Sequence, residues 1–301
     1  YERLALARSI GTDAVVEVDV FGPFAVEETA AIFLCSDGLY KSLTDSDLGD
    51  LYLQSGGPRG AAQALVSAAY ERGGDDNITV VGTGVDDFTA SLNGTTATQY
   101  TNFNSLVINA MSGDDDIDVD VNTLAIGTFN VNGDLPTTSG GDLLSVSGTN
   151  VNFSPSAADA GSIVVDAQTI AIASTEQVFF NGETGNGTLT VTTPAGVTTT
   201  SLTPGSTVDS GNIQVTSLLG LHFGNMGNGG SIVIDDTDPL ADDTLIYRGT
   251  GSDDTFAVSG NGIVTLNSQI DVDVLGDVAT LTLDGLDGDD TFDVAALHGI
   301  A

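Results

Sequence analysis

Two aspartates stand where strand ends could make them ligands for hard cations. Asp37 lies just past the apolar run AAIFLC (30–35), followed by Gly38, and Asp76 lies just before ITVVGTGV (78–85). If these runs pair as antiparallel strands, the end of one lies beside the start of the other. Both carboxylates then leave the same sheet edge, about 5 Å apart. Divalent ions such as Mg²⁺ and Mn²⁺ take oxygen ligands of this kind. The same residues also make ordinary turns, Asp37-Gly38 at one strand end and Asp76-Asn77 at the other. A second pair, Asp254 and Asp290, is 36 residues apart, each in a Gly- and Asp-rich turn leading into Thr-Phe. If the intervening chain makes one or two coils, the turns stack and gather carboxylates on one edge. Left unpaired, such charges repel by about 1 kcal/mol per pair even in water-like surroundings. Calcium would convert that repulsion into coordination.

The elements that must hold the first pair are of mixed type. VVEVDV (15–20), AAIFLC (30–35) and ITVVGTGV (78–85) read as strands. A helix over 44–54 is signalled by Thr44 with Asp47 three residues on, the spacing of a capping box, and by Leu48, Leu51 and Tyr52 on one face. Pro58 opens a second helix over 58–72, with Ala62, Leu65, Val66 and Ala69 on one stripe and Gly73-Gly74 ending it. These signals predict an α+β part over residues 1–86.

Three blocks carry a resemblance: RLALARSIGT (3–12), IFLCSDGLYKSLTDSDL (32–48) and AAQALVSAAYERGGDDNITVV (61–81). In order and spacing they resemble the last three signature blocks of PPM-type, metal-dependent serine/threonine protein phosphatases. The resemblance implies half of an α/β sandwich, with Asp37 and Asp76 among the ligands of a catalytic Mn²⁺ or Mg²⁺ pair, Gly38 giving the chain room beside the metal and Asn77 a neighbour of the ligands. It implies a metal-bound water attacking a phosphoserine or phosphothreonine of a phosphoprotein substrate. The family's opening half supplies a metal-bridging Asp-Gly, an upstream acidic residue and a phosphate-contacting Arg, and none has a counterpart in these 301 residues. Two acidic ligands alone do not hold a two-metal site, so no catalytic residue is assigned.

From residue 87 onward the pattern changes to short β-rich runs broken by Gly, Asp and Asn. LVINAMSGDDDIDVDV (106–121), VFFNGETGNGTLTV (178–191), LIYRGTGSDDTFAV (245–258) and LTLDGLDGDDTFDV (281–294) share one form, a β-run, a turn and an alternating β-run. GLHFGNMGNGGSIVID (220–235) is a looser copy, and residues 248–258 and 284–294 align without a gap. Such units bury a core only by stacking, which predicts an all-β repeat region over 87–301, a parallel β-solenoid with β-sandwich repeats as the alternative. The stretch 122–177 lacks the turn motif. GLDGDDTFD (285–293) resembles the nonapeptide of RTX calcium-binding proteins, with Leu286 where a second Gly is usual. By that resemblance Asp290, with Asp254 in the matching turn and Asp287 beside it, would take calcium. The alternative is that these residues make the turns and bind no ion.

Charge bounds the partners. The chain has 42 acidic and 6 basic residues. Beyond residue 85 there are 29 acidic residues against Arg248 alone. So acidic a surface repels nucleic acid and anionic lipid, and no apolar run reaches the roughly 18 residues of a membrane-spanning helix. A single cysteine, Cys35, excludes an internal disulfide. Three readings follow. The chain is a phosphatase fragment with a β-repeat tail, a structural or adhesive calcium-binding repeat protein of the cell surface, or two coding regions joined artificially. The last arises because the phosphatase family works mainly on cytoplasmic substrates, whereas such acidic repeats resemble secreted proteins.

Overall fold

The computed structural model describes residues 43–55 and 77–295, apart from 94, 111–112, 135–140, 237, 239–241 and 275–277, together with positions 61, 64, 65 and 68. The chain divides into two compact units, Tyr1–Ser36 and Asp37–Ala301. Everything described here belongs to the second.

The helix foreseen at Thr44 forms over Asp45–Gln54. Thr44 caps it reciprocally: its backbone N–H donates to Asp47 Oδ2 at 2.8 Å, while the Asp47 N–H donates to Thr44 Oγ1 at 3.3 Å. Two of the end's orphan donors are satisfied this way, and Asp45 and Asp47 face the positive end of the helix dipole. Of the second helix only positions 61, 64, 65 and 68 are described. They are helical, with Ala61 and Leu65 buried four residues apart. The runs 15–20 and 30–35 lie outside the described residues.

Beyond Asn77 the described residues hold strands and turns and no helix. Twenty-two strands form two sheets of eleven. From edge to edge the first runs Val278–Asp284, Asp243–Arg248, Thr199–Pro204, Gly211–Val215, Leu221–Gly224, Gln177–Asn181, Leu143–Ser147, Asp116–Asp120, Asn77–Gly82, Phe88–Leu92 and Thr98–Tyr100. The second runs Thr291–Val294, Thr255–Val258, Ile263–Leu266, Asp271–Val274, Ser231–Asp236, Thr188–Thr193, Val151–Ala157, Ala160–Val165, Gln168–Ala173, Thr128–Asn132 and Ser105–Asn109. Every repeated unit seen in the sequence places its two β-runs in different sheets, so the shared turn is the corner where the chain crosses over. Asn77–Gly82, which lies at the end of the third sequence block, pairs in parallel with Asp116–Asp120 of the repeat region.

The sheets are mixed, not wholly parallel. Four three-stranded antiparallel meanders, over 77–100, 151–173, 199–224 and 255–274, alternate between the first sheet and the second. Tight turns let the chain fold back within a sheet. Asp166, Ser217 and Asn267 adopt positive φ (52°, 62° and 50°) at three of those reversals, a conformation that Asn and Asp reach more cheaply than most residues. The other strand neighbours are parallel, in unbroken register except for one shift between Asp243 and Thr244 where Asp243–Arg248 meets Val278–Asp284.

One inward row crosses the first sheet through Ile78, Ile117, Leu144, Val178, Leu221, Ile213, Leu202, Tyr247 and Leu283. Strict alternation in the sequence produces it, because a period of two sends every second side chain inward. The inward residues of both sheets form one continuous apolar cluster. The two sheets meet directly where Tyr247 and Phe256 pack edge to face, 5.7 Å between ring centres.

Candidate functional site

Parallel ladders leave backbone N–H groups at the strand starts without a ladder partner, and buried ones must find an acceptor. Here acidic side chains supply it. Asp115, Asp142 and Glu176 each immediately precede one of three neighbouring strands, Asp116–Asp120, Leu143–Ser147 and Gln177–Asn181. The Asp115 N–H donates to Asp142 Oδ1 at 2.9 Å, and the Asp142 N–H donates to Glu176 Oε2 at 2.9 Å. The main-chain ladder runs alongside, Leu143 N–H to the Asp115 carbonyl and Gln177 N–H to that of Asp142. The Asp142 and Glu176 carboxylates thus each latch the rung beside them. Asp115 and Asp142 are fully buried. Asp142 Oδ2 and Glu176 Oε1, both shut from solvent, accept no hydrogen bond. Burial pushes both carboxyls above their ordinary range, for Asp142 with help from Asp114 and Asp134 and for Glu176 from Asp142 and Asp159.

The same device recurs at the other end of the region. Asp254 precedes Thr255–Val258, and its N–H donates to Asp290 Oδ1 at 2.9 Å, so the structure brings these two predicted residues together. The buried Asp254 carboxylate accepts the Thr250 N–H (2.6 Å), the Thr250 hydroxyl (3.1 Å) and the Asn267 side-chain amide (2.6 Å). Phe292, in the strand after Asp290, stacks on Phe256 at 5.3 Å with the rings 5° from parallel, as the gapless alignment requires. Asp287 is exposed and makes no hydrogen bond to either aspartate. Leu286 adopts φ +63°, so the position where Gly was expected does carry a left-handed backbone.

A cation would have to displace these donors, since the carboxylate oxygens of Asp254 already face N–H and O–H groups. Among the described residues no group of three or more His, Cys, Asp or Glu converges as a metal site. Asp37 and Asp76 lie outside the described residues. Sequence reasoning passed over Asp115, Asp142 and Glu176. Their signal was an acidic residue set directly before a run of period two, the same mark that Asp254 and Asp290 carry.

Comparison with known proteins supplies the class first: the chain contains a phosphatase-like segment. A stretch of 77 residues, 25% of the chain, is 35% identical to the serine/threonine phosphatase stp of Listeria welshimeri serovar 6b. The proteins of the same name from Listeria monocytogenes serotype 4b and Listeria innocua serovar 6a are 34% identical over 77 residues. The chain spans about 30% of the length of each of these relatives. No protein-family model matches the chain, and no solved structure matches it.

Proposed function

We propose that this chain joins the closing portion of a PPM-type, metal-dependent serine/threonine phosphatase domain to an acidic β-solenoid, and that as it stands it does not hydrolyse phosphate esters. The observation that carries the reading is the 35% identity over 77 residues to a serine/threonine phosphatase. That length suits the three blocks between residues 3 and 81. By the resemblance, Asp37 and Asp76 would hold Mn²⁺ or Mg²⁺, which supplies an activated water. The phosphoprotein substrate belongs to a protein that also has the bridging Asp and the phosphate-binding Arg. p-Nitrophenyl phosphate with Mn²⁺ should therefore give no turnover above that of an Asp37→Ala, Asp76→Ala double variant. A clear rate lost in the double variant would show a complete site.

The solenoid reading of the repeat region rests on the alternation of the chain between two sheets and on parallel, in-register neighbours. It makes the region a spacer or scaffold. Calcium binding is the second reading, favoured by the exposed acids Asp253, Asp287 and Asp289 on adjoining turns, where the Asp289 N–H donates to Asp253 Oδ1 at 2.9 Å. Because Asp254 and Asp290 are already engaged, titration calorimetry at about millimolar calcium, the range of extracellular sites, should register no binding. Heat that Asp290→Ala abolishes would establish the calcium reading instead.

A further inference from the structure

The acidic column at Asp115, Asp142 and Glu176 contains a contradiction that a proton resolves. Asp142 is completely buried, and its Oδ1 accepts the Asp115 N–H. Its Oδ2 accepts nothing. A Cβ placed on Gly133 would collide with both this Oδ2 and the carbonyl oxygen of Ser174, so two acceptors are brought together in the small space beside Gly133. Two acceptors without a hydrogen between them repel, and an unpaired buried charge is costly. Of the groups facing Asp142, Asp115 hydrogen-bonds it through both its N–H and its side chain and so holds its carboxyl down, but Asp114 on the same flank and Asp134 beyond Gly133 push it up. Glu176 on the other flank and Asp159 near Glu176 are acidic as well. The one described Arg, Arg248, is paired with Asp284 elsewhere.

We propose that this column is a proton-operated latch, in which Asp142 carries a hydrogen on Oδ2 toward the Ser174 carbonyl, and that the β-region is held more tightly under acid than at neutral pH. The direction follows from linkage. Burial raises the folded-state value of Asp142 above its ordinary 3.8. The stabilisation is therefore fully present below 3.8 and is lost as pH rises through the raised value. Glu176, raised in the same direction, loses its contribution over the same side of the scale. Proton release leaves Asp142 as a buried carboxylate with Oδ2 facing the Ser174 carbonyl among acids, and the rungs at Asp116–Asp120, Leu143–Ser147 and Gln177–Asn181 loosen together.

The test uses the full 301-residue chain and an isosteric imitation of the protonated state. In Asp142→Asn the side-chain oxygen keeps the Asp115 N–H, and the amide N–H stands where the proton would be. Melting of the β-structure is followed by far-UV circular dichroism from about pH 4 to 8, a range above the unfolded carboxyl value. Asp118→Asn, at an exposed position of the neighbouring strand, controls for the general relief of charge in so acidic a protein. Asp142→Asn should melt about 2–4 °C higher than wild type near pH 8, the shift that one net hydrogen bond gives a domain of this size. The gain should vanish near the acid end, and Asp118→Asn should show less than half of it. Glu176→Gln should move in the same direction as Asp142→Asn. The proposal is overturned if Asp142→Asn melts no higher than wild type near neutrality, or if Asp118→Asn matches it. It is equally overturned if millimolar calcium gives wild type the same gain and Asp142→Asn does not respond, for the column would then hold a cation.

Discussion

Cutting Phe180 to alanine should lower the stability of the β-region by about 3–5 kcal/mol, the cost of removing a fully buried aromatic ring and leaving its cavity. Phe180 has no solvent exposure, and its strand Gln177–Asn181 is paired on both sides, with Leu143–Ser147 and Leu221–Gly224. Its register neighbours are Val146 and Phe223. Neither can refill the gap, because each is held by its own ladder, and close-packed interiors relax only partly. The fall should be read as a lower urea midpoint at unchanged slope. A loss below about 1 kcal/mol would mean that this part of the core is loosely packed.

Asp254→Ala should be the most damaging of the turn substitutions, costing about 2–4 kcal/mol, since the donors that a buried carboxylate satisfies are left without acceptors. Those donors are the Thr250 N–H and hydroxyl and the Asn267 amide. Asp254→Asn should lie between alanine and wild type, because one carboxylate oxygen becomes a donor facing donors. Asp289→Ala, on the same pair of turns but exposed, should stay within about 0.5 kcal/mol. Equal losses at 254 and 289 in urea unfolding would remove the latch as the explanation.

What the sequence made legible follows from what is local. The alternation in DIDVD, LLSVS and TFAV appears as strands buried at every second residue. The pairing of Thr44 with Asp47 announced a helix start that the structure bears out. The gapless match of 248–258 with 284–294 foretold strands in register, Thr255 opposite Thr291 and Phe256 opposite Phe292. The meanders were not legible. The stretch 122–177, which lacks the repeated turn, holds one of them, and its reversals at Ala157–Ala160 and Asp166 have no Asn-Gly or Asp-Gly signature. Strand order also depends on partners tens of residues apart, which no local pattern encodes. At the candidate site Asp254 and Asp290 stood out by their repeated context. Asp142 did not, because its importance comes from burial against Gly133 and Ser174, a fact of packing alone.

The reversed order inside each meander matters most when the chain is pulled. Among the described residues, tension from the C-terminal side first peels Thr291–Val294 and then Val278–Asp284, each an edge strand with one partner. The next strand along the chain, Asp271–Val274, is not at an edge but lies between Ile263–Leu266 and Ser231–Asp236. Drawing it out means breaking two ladders at once. The same obstruction returns at Leu221–Gly224 and at Gln168–Ala173, each clamped between two neighbours. A stack of uninterrupted parallel rungs would unzip one strand at a time under a small steady force. This one carries brakes at intervals, and its resistance to stretching should rise in steps at the meanders.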